Sequence, residues 1–116
     1  MTERPLYKEH PLWNAAMALT QASYVAAEGL KETRPEEAQR LRKAAVAVPA
    51  RIAEALESLA DDGRREECVL LARGALAEVA RQARRSGNEK VAALAGQADE
   101  LERSVLFDLG TGASVS

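Results

Sequence analysis

The chain has 116 residues and a mass of 12.5 kDa, enough for one domain and too short for a second core. Sixteen Lys and Arg against 18 Asp and Glu leave a net charge of −2 and a pI of about 5.5, so no overall cationic field draws it to nucleic acid or an anionic membrane. One cysteine, Cys68, and one histidine, His10, exclude a disulfide framework, zinc sites built from Cys and His clusters, and CxxC redox chemistry.

Hydrophobic residues make up 47% of the chain but aromatics only 3%. Much of the apolar content is alanine, the best helix former and a poor filler of wide cores, which predicts closely packed helices. The opening segment MTERPLYKEH alternates charges and lacks the apolar stretch of a signal peptide, so a cytoplasmic protein is expected. Pro11 to Ala27 is uncharged, but Asn14, Thr20, Gln21 and Ser23 make it too polar for a membrane span.

The first helix is predicted over 10–32, with Pro11 at a position where its missing N–H is not needed. Trp13, Ala16 or Met17, Thr20, Tyr24 and Ala27 recur at spacings of three and four and form its expected buried stripe. Thr33-Arg34-Pro35-Glu36 reads as a capping box that starts a second helix, over 34–61. Leu41, Ala45, Val48, Ile52, Ala55 or Leu56, and Leu59 supply its seam. Pro49 falls inside this run, where it removes a hydrogen bond and crowds the Ala45 carbonyl, so a kink is expected there.

Asp61-Asp62-Gly63 supplies a stop and a cap, and a third helix over 63–86 carries Val69, Ala72, Leu76, Val79 and Ala83. Ser86-Gly87-Asn88 separates it from a fourth helix over 88–107, with Val91, Leu94, Ala98, Leu101 and Val105 on its seam. Residues 110–116 read as a flexible tail. The expectation is all-α: a single domain over 1–109, an antiparallel up-down-up-down four-helix bundle with its second helix kinked at Pro49.

Catalytic chemistry finds little support. Di-iron sites in bundles need inward Glu-x-x-His pairs, and the sole histidine stands at a helix start. Cys68 adjoins a seam and is expected to pack as a small hydrophobe. The glycines do not form a phosphate loop. Glu54 and Glu57 are spaced for an acid/base pair, but Glu54 turns away from the seam, as does Glu78, and both read as solvated or interface carboxylates. No catalytic, cofactor or metal site is assigned.

Two surface features remain. Residues 63–87 hold six arginines against three glutamates, and residues 88–116 hold two cations against five carboxylates. Arg73, Arg81 and Arg84 share one helical face, extended by Arg85, and form a strip able to bind a polyanion or acidic partner unless the fourth helix neutralises it. Apolar residues also exceed what the seams need: Val46, Ala50 and Ala53 on the second helix, and Leu70, Leu71 and Ala75 on the third. A contiguous outer apolar patch marks an interaction site, and self-association is its simplest cause.

The segment Leu41-Arg-Lys-Ala-Ala-Val-Ala-Val-Pro-Ala-Arg-Ile-Ala-Glu54 resembles the signature of a bacterial four-helix-bundle family whose founding members are encoded in intervening sequences of large-subunit ribosomal RNA genes. A basic-Ala-Ala stretch, a hydrophobic-Pro pair and Ile-Ala-Glu stand at Arg42 to Ala45, Val48-Pro49 and Ile52 to Glu54. Leu12-Trp13 and Leu71-Ala-Arg-Gly-Ala-Leu-Ala-Glu78 extend the similarity over roughly residues 10 to 85. Ala47, Arg51, Ala55 and Ala75 depart from the family's usual Ser, Asn, Gly and Ser.

The resemblance implies a bundle that assembles as a ring-like pentamer, without enzymatic activity in most members. Relatives serve as accessory proteins of diversity-generating retroelements, strongly basic barrels that bind a reverse transcriptase and its RNA. The expected function is therefore a non-catalytic homo-oligomeric scaffold or adaptor, partnered with itself or another protein and needing no cofactor. The alternative is a nucleic-acid or reverse-transcriptase accessory acting through the arginine strip. The acidic composition disfavours it.

Overall fold

A computed structural model describes residues 6–110. A short 3-10 turn, η1 (Leu6–Glu9), precedes four helices: α1 (Pro11–Leu30), α2 (Pro35–Glu57), α3 (Asp62–Arg85) and α4 (Glu89–Leu109). No strand occurs among the described residues. Each helix packs on the next in the chain, and α1 also packs on α4, so four helices close around one core. The expected tail beyond Gly110 lies outside the described residues.

The helix starts follow local chemistry. His10 stands before Pro11 in extended backbone, and its Nδ1 accepts the N–H of Leu12 at 3.0 Å. Asp61 accepts from Arg64 N, and Asn88 from Lys90 N and Val91 N. These side chains satisfy backbone donors that a helix start leaves unpaired, each contributing ~1 kcal/mol. The capping box expected at Thr33 does not form: Arg34 is the cap residue of α2 and makes no side-chain cap bond. Pro35 at the first helical position, with Glu36 and Glu37 in the first turn, starts the helix through fixed φ and the helix dipole instead.

The seams of α3 and α4 are buried as expected, joined by Cys68, Ala80, Ala95 and Leu109. In α2 the buried stripe runs Leu41, Ala45, Val48, Ile52, Ala55 and Leu56, whereas Leu59 falls beyond the helix end and is exposed. The α1 stripe differs by a fraction of a turn. Leu12, Ala16, Leu19, Thr20, Ser23, Ala27 and Leu30 point inward, Trp13 lies at the edge against Tyr7, and Tyr24 is 38% exposed. Large aromatics suggest a core by size, but the thin, alanine-lined interior takes Leu and Ser and leaves rings to the rim.

Residues such as Leu19, Leu41, Ile52 and Leu76 are fully enclosed, and each contributes ~1.5–3 kcal/mol by leaving water. The buried hydroxyls of Ser23, Ser58 and Ser86 each return to a helix carbonyl, at Leu19, Ala55 and Ala83. No buried side-chain N or O atom among the described residues lacks a partner.

Pro49 lies inside α2, which continues through it as one helix. Proline has no N–H to offer the carbonyl of residue 45. Thr20 of α1 stands opposite that carbonyl: its buried Oγ is 2.8 Å from Ala16 O and 3.5 Å from Ala45 O. The single hydroxyl proton goes to Ala16 O at the shorter distance, and the carbonyl that Pro49 deprives of its helical donor lies at the edge of reach of the same hydroxyl.

Candidate functional site

The residues expected to mediate contacts can be placed by the flank of the helix they occupy. On α2, Ala45 and Arg42 mark the side toward α1, through Thr20 and an ion pair from Arg42 to Glu28. Ala44 and Ala47 mark the side toward α3, where they line a concavity of about 380 Å³ with Ala75, Glu78 and Gln82. At ~100° per residue, Val46 and Ala53 fall within ~40° of Arg42, whereas Ala50 lies ~80° from it and ~60° from Ala47. Val46 and Ala53 therefore lean toward α1, with Val46 58% exposed, and Ala50 points straight out between the two flanks.

On α3 the corresponding residues diverge. Ala75 is half-buried in the α2–α3 concavity, and Leu71 shares its flank by helical phase. Leu70 turns the other way, 66% exposed, over a groove of about 350 Å³ between α3 and α4. The outer residues of α3 thus fall on two sides, Leu71 and Ala75 toward α2 and Leu70 toward α4. Leu70 and Leu71 are adjacent, and ~100° of helical rotation sends them to different grooves.

The α3–α4 groove has an apolar floor of Val69, Leu106 and Leu109, with Arg65 and Arg73 beside it. Sequence reading missed Leu106 because it lies one residue off the α4 seam. Glu57, read from the sequence as a carboxylate spaced with Glu54, lies four residues beyond Ala53 and is exposed. Phe107, 82% exposed, is one residue further round α4. Two further concavities lie between α1 and α4, where Ala15, Ala18, Ala22 and Gly29 keep the wall low.

The arginine strip is paired along most of its length. Arg73 Nε meets Glu102 Oε2 at 3.3 Å, Arg84 meets Asp99, and Arg81 meets Glu78 within its own helix. Arg85 is exposed, and its positive charge helps to hold the Glu78 carboxyl below the ordinary value of 4.5. The Gln82 amide, donating at 2.7 Å, is the largest cause of that shift, Arg81 adds to it and burial opposes it. Glu54 is likewise engaged, by Arg51 at 3.1 Å.

Cys68 is buried and His10 caps α1. No group of three or more potential metal ligands exists among the described residues. No helix there is long and apolar enough to cross a membrane. Comparisons of the chain with protein-family models, curated proteins and solved structures found no match.

Proposed function

We propose that this protein is a non-catalytic, homo-oligomeric scaffold or adaptor. The reading rests chiefly on the exposure of Val46 and Leu70 in a chain so short of large apolar residues. Leaving them in water forgoes burial worth ~1.5–3 kcal/mol each, and a second protein surface is the simplest way to recover it. The resemblance of residues 41–54 to the ribosomal intervening-sequence family adds a ring of five as the expected assembly. The non-catalytic part of the reading is supported by the sole histidine being engaged in a helix cap and the sole cysteine in the core.

The accessory-protein alternative depends on free arginines. Three of the four strip arginines already face carboxylates, which lowers the charge left for phosphates. Light scattering at tens of micromolar chain is the test of the scaffold reading: a mass several times 12.5 kDa is expected, and a monomer would overturn it.

A further inference from the structure

His10 joins two elements at one end of the bundle. Its backbone N–H donates to Tyr7 O at 3.0 Å and closes η1, and its carbonyl accepts from Asn14 N at 3.2 Å as α1 begins. Its ring Nδ1 accepts from Leu12 N at 3.0 Å. Pro11 has no N–H, so Leu12 is the first residue of α1 with a donor to satisfy. Leu12 is buried and Trp13 half-buried, and the Trp13 ring meets the Tyr7 ring edge-on at 5.0 Å. The His10 ring, the first turn of α1 and η1 thus hold one another.

Nδ1 accepts a hydrogen bond only while the imidazole is neutral. In the cation both ring nitrogens carry protons, so no orientation of the ring offers Leu12 an acceptor. The cation also stands at the positive end of the α1 dipole, with no acidic residue in the first turn of that helix to offset it. We propose that His10 is an acid-sensitive latch: protonation of its ring frees the first turn of α1 and, with it, η1, so that Tyr7 parts from Trp13.

The charged groups around the latch are Lys8 and Glu9 of η1 and those at the adjoining ends of α2 and α4. Glu28 pairs with Arg42 and Thr20 approaches Ala45, so the start of α1 stands beside the end of α2. That end carries Arg51 and Glu54, paired with each other, and the exposed Glu57. Ala15 and Ala18 share a concavity with Glu100 and Ser104 of α4, which brings Arg103 and Asp108 to the same end. These charges set the pH at which the ring protonates. The exchange of an acceptor for a donor at Nδ1 is the same wherever that falls. Histidine is the side chain whose charge ordinarily changes between about pH 5 and pH 8, and His10 is the only one in the chain.

Trp13 is the sole tryptophan, so its emission and its quenching by acrylamide report on this turn alone. The full chain is titrated from about pH 8 to about pH 5, with the Leu12 amide followed by NMR and the bundle by far-UV circular dichroism. As pH falls, a one-proton transition is expected to shift Trp13 emission to the red, increase its quenching and remove the exchange protection of the Leu12 amide. His10→Asn and His10→Ser supply cap acceptors that do not titrate there and are expected to keep the high-pH behaviour throughout. His10→Ala, without an acceptor, is expected to show the low-pH behaviour throughout. The latch is overturned by the same transition in His10→Asn or His10→Ser, or by a Leu12 amide that stays protected while the His10 ring titrates. A His10→Ala variant that matches the wild type at high pH, or loss of helix throughout the bundle in step with the transition, overturns it equally.

Discussion

Arg34, in the turn between α1 and α2, donates from its guanidinium to the carbonyl of Ser86, 52 residues away at the end of α3. The same guanidinium covers Gly87, the only residue with positive φ, at 74°, among those described. A Cβ at Gly87 would collide with Arg34 Nη1. Two neighbouring turns are thereby joined at one end of the bundle.

Gly87→Ala is therefore expected to destabilise the protein by about 2 kcal/mol or more, from left-handed backbone strain of ~1–2 kcal/mol and displacement of Arg34. Arg34→Ala loses one charge-assisted bond at an exposed residue, worth ~1 kcal/mol. Urea melts of the two variants and the double variant form a cycle. The double variant should be less destabilised than the sum of the singles, because the collision is gone; strict additivity would show that Arg34 does not rest against Gly87.

Thr20 and Pro49 should be energetically coupled through the Ala45 carbonyl. Pro49→Ala restores an N–H to that carbonyl and is expected to raise the melting temperature, while also removing a crowded ring from α2. Thr20→Val should cost ~1 kcal/mol, chiefly from the lost bond to Ala16 O, and only a few tenths less in the Pro49→Ala background, where Ala45 O is served from its own helix. If α2 bends at Pro49 to fit an assembly, Pro49→Ala also weakens self-association in sedimentation; unchanged assembly would leave the proline a matter of monomer packing alone.

Stability in acid should carry a contribution from Glu78. Its carboxyl is held below 4.5, chiefly by the Gln82 amide and then by Arg81 and Arg85. A group whose folded value is depressed stabilises the fold fully above its unfolded value, and this stability is lost as pH falls through the folded value. Melting temperatures followed downward from about pH 6 should fall less steeply below pH ~4.5 in Glu78→Gln than in the wild type. Parallel curves would mean that Glu78 ionises alike in both states.

The arginine strip gives a prediction in two arms. Wild-type protein should bind RNA or DNA no tighter than nonspecific levels, ~10⁻⁴ to 10⁻⁶ M at physiological salt. Releasing the strip with Asp99→Asn and Glu102→Gln should tighten single-strand binding and steepen its salt dependence, by a log–log slope of about −0.7 per added phosphate contact. A nanomolar mobility shift by the wild type, abolished by Arg81→Glu with Arg84→Glu, would favour the accessory-protein reading instead.

The element boundaries and the seams of α3 and α4 were legible because alanine, leucine and valine there recur without competing residues. In α1 the aromatic rings drew the expected stripe toward Trp13 and Tyr24, although Leu19 and Ser23 are the residues enclosed. Thr33 carried the right residue type for a cap, but Arg34 instead takes the cap position and reaches to Ser86. The outer patch could not be resolved from spacing on separate helices. Whether Leu70 meets Val46 or Leu106 depends on which neighbour stands on each side of α3, a fact carried by the packing of all four helices.

The meeting of Thr20 with Ala45 bears on how α1 finds its place along α2. A wall of alanines is nearly smooth, and sliding one helix by a turn, ~5.4 Å, exchanges one methyl contact for a similar one. A carbonyl deprived of the donor four residues on occurs where the proline puts it, and a slide of one turn carries the Thr20 hydroxyl away from it. Pro49, a defect within α2, thereby acts as an index mark for the helix beside it.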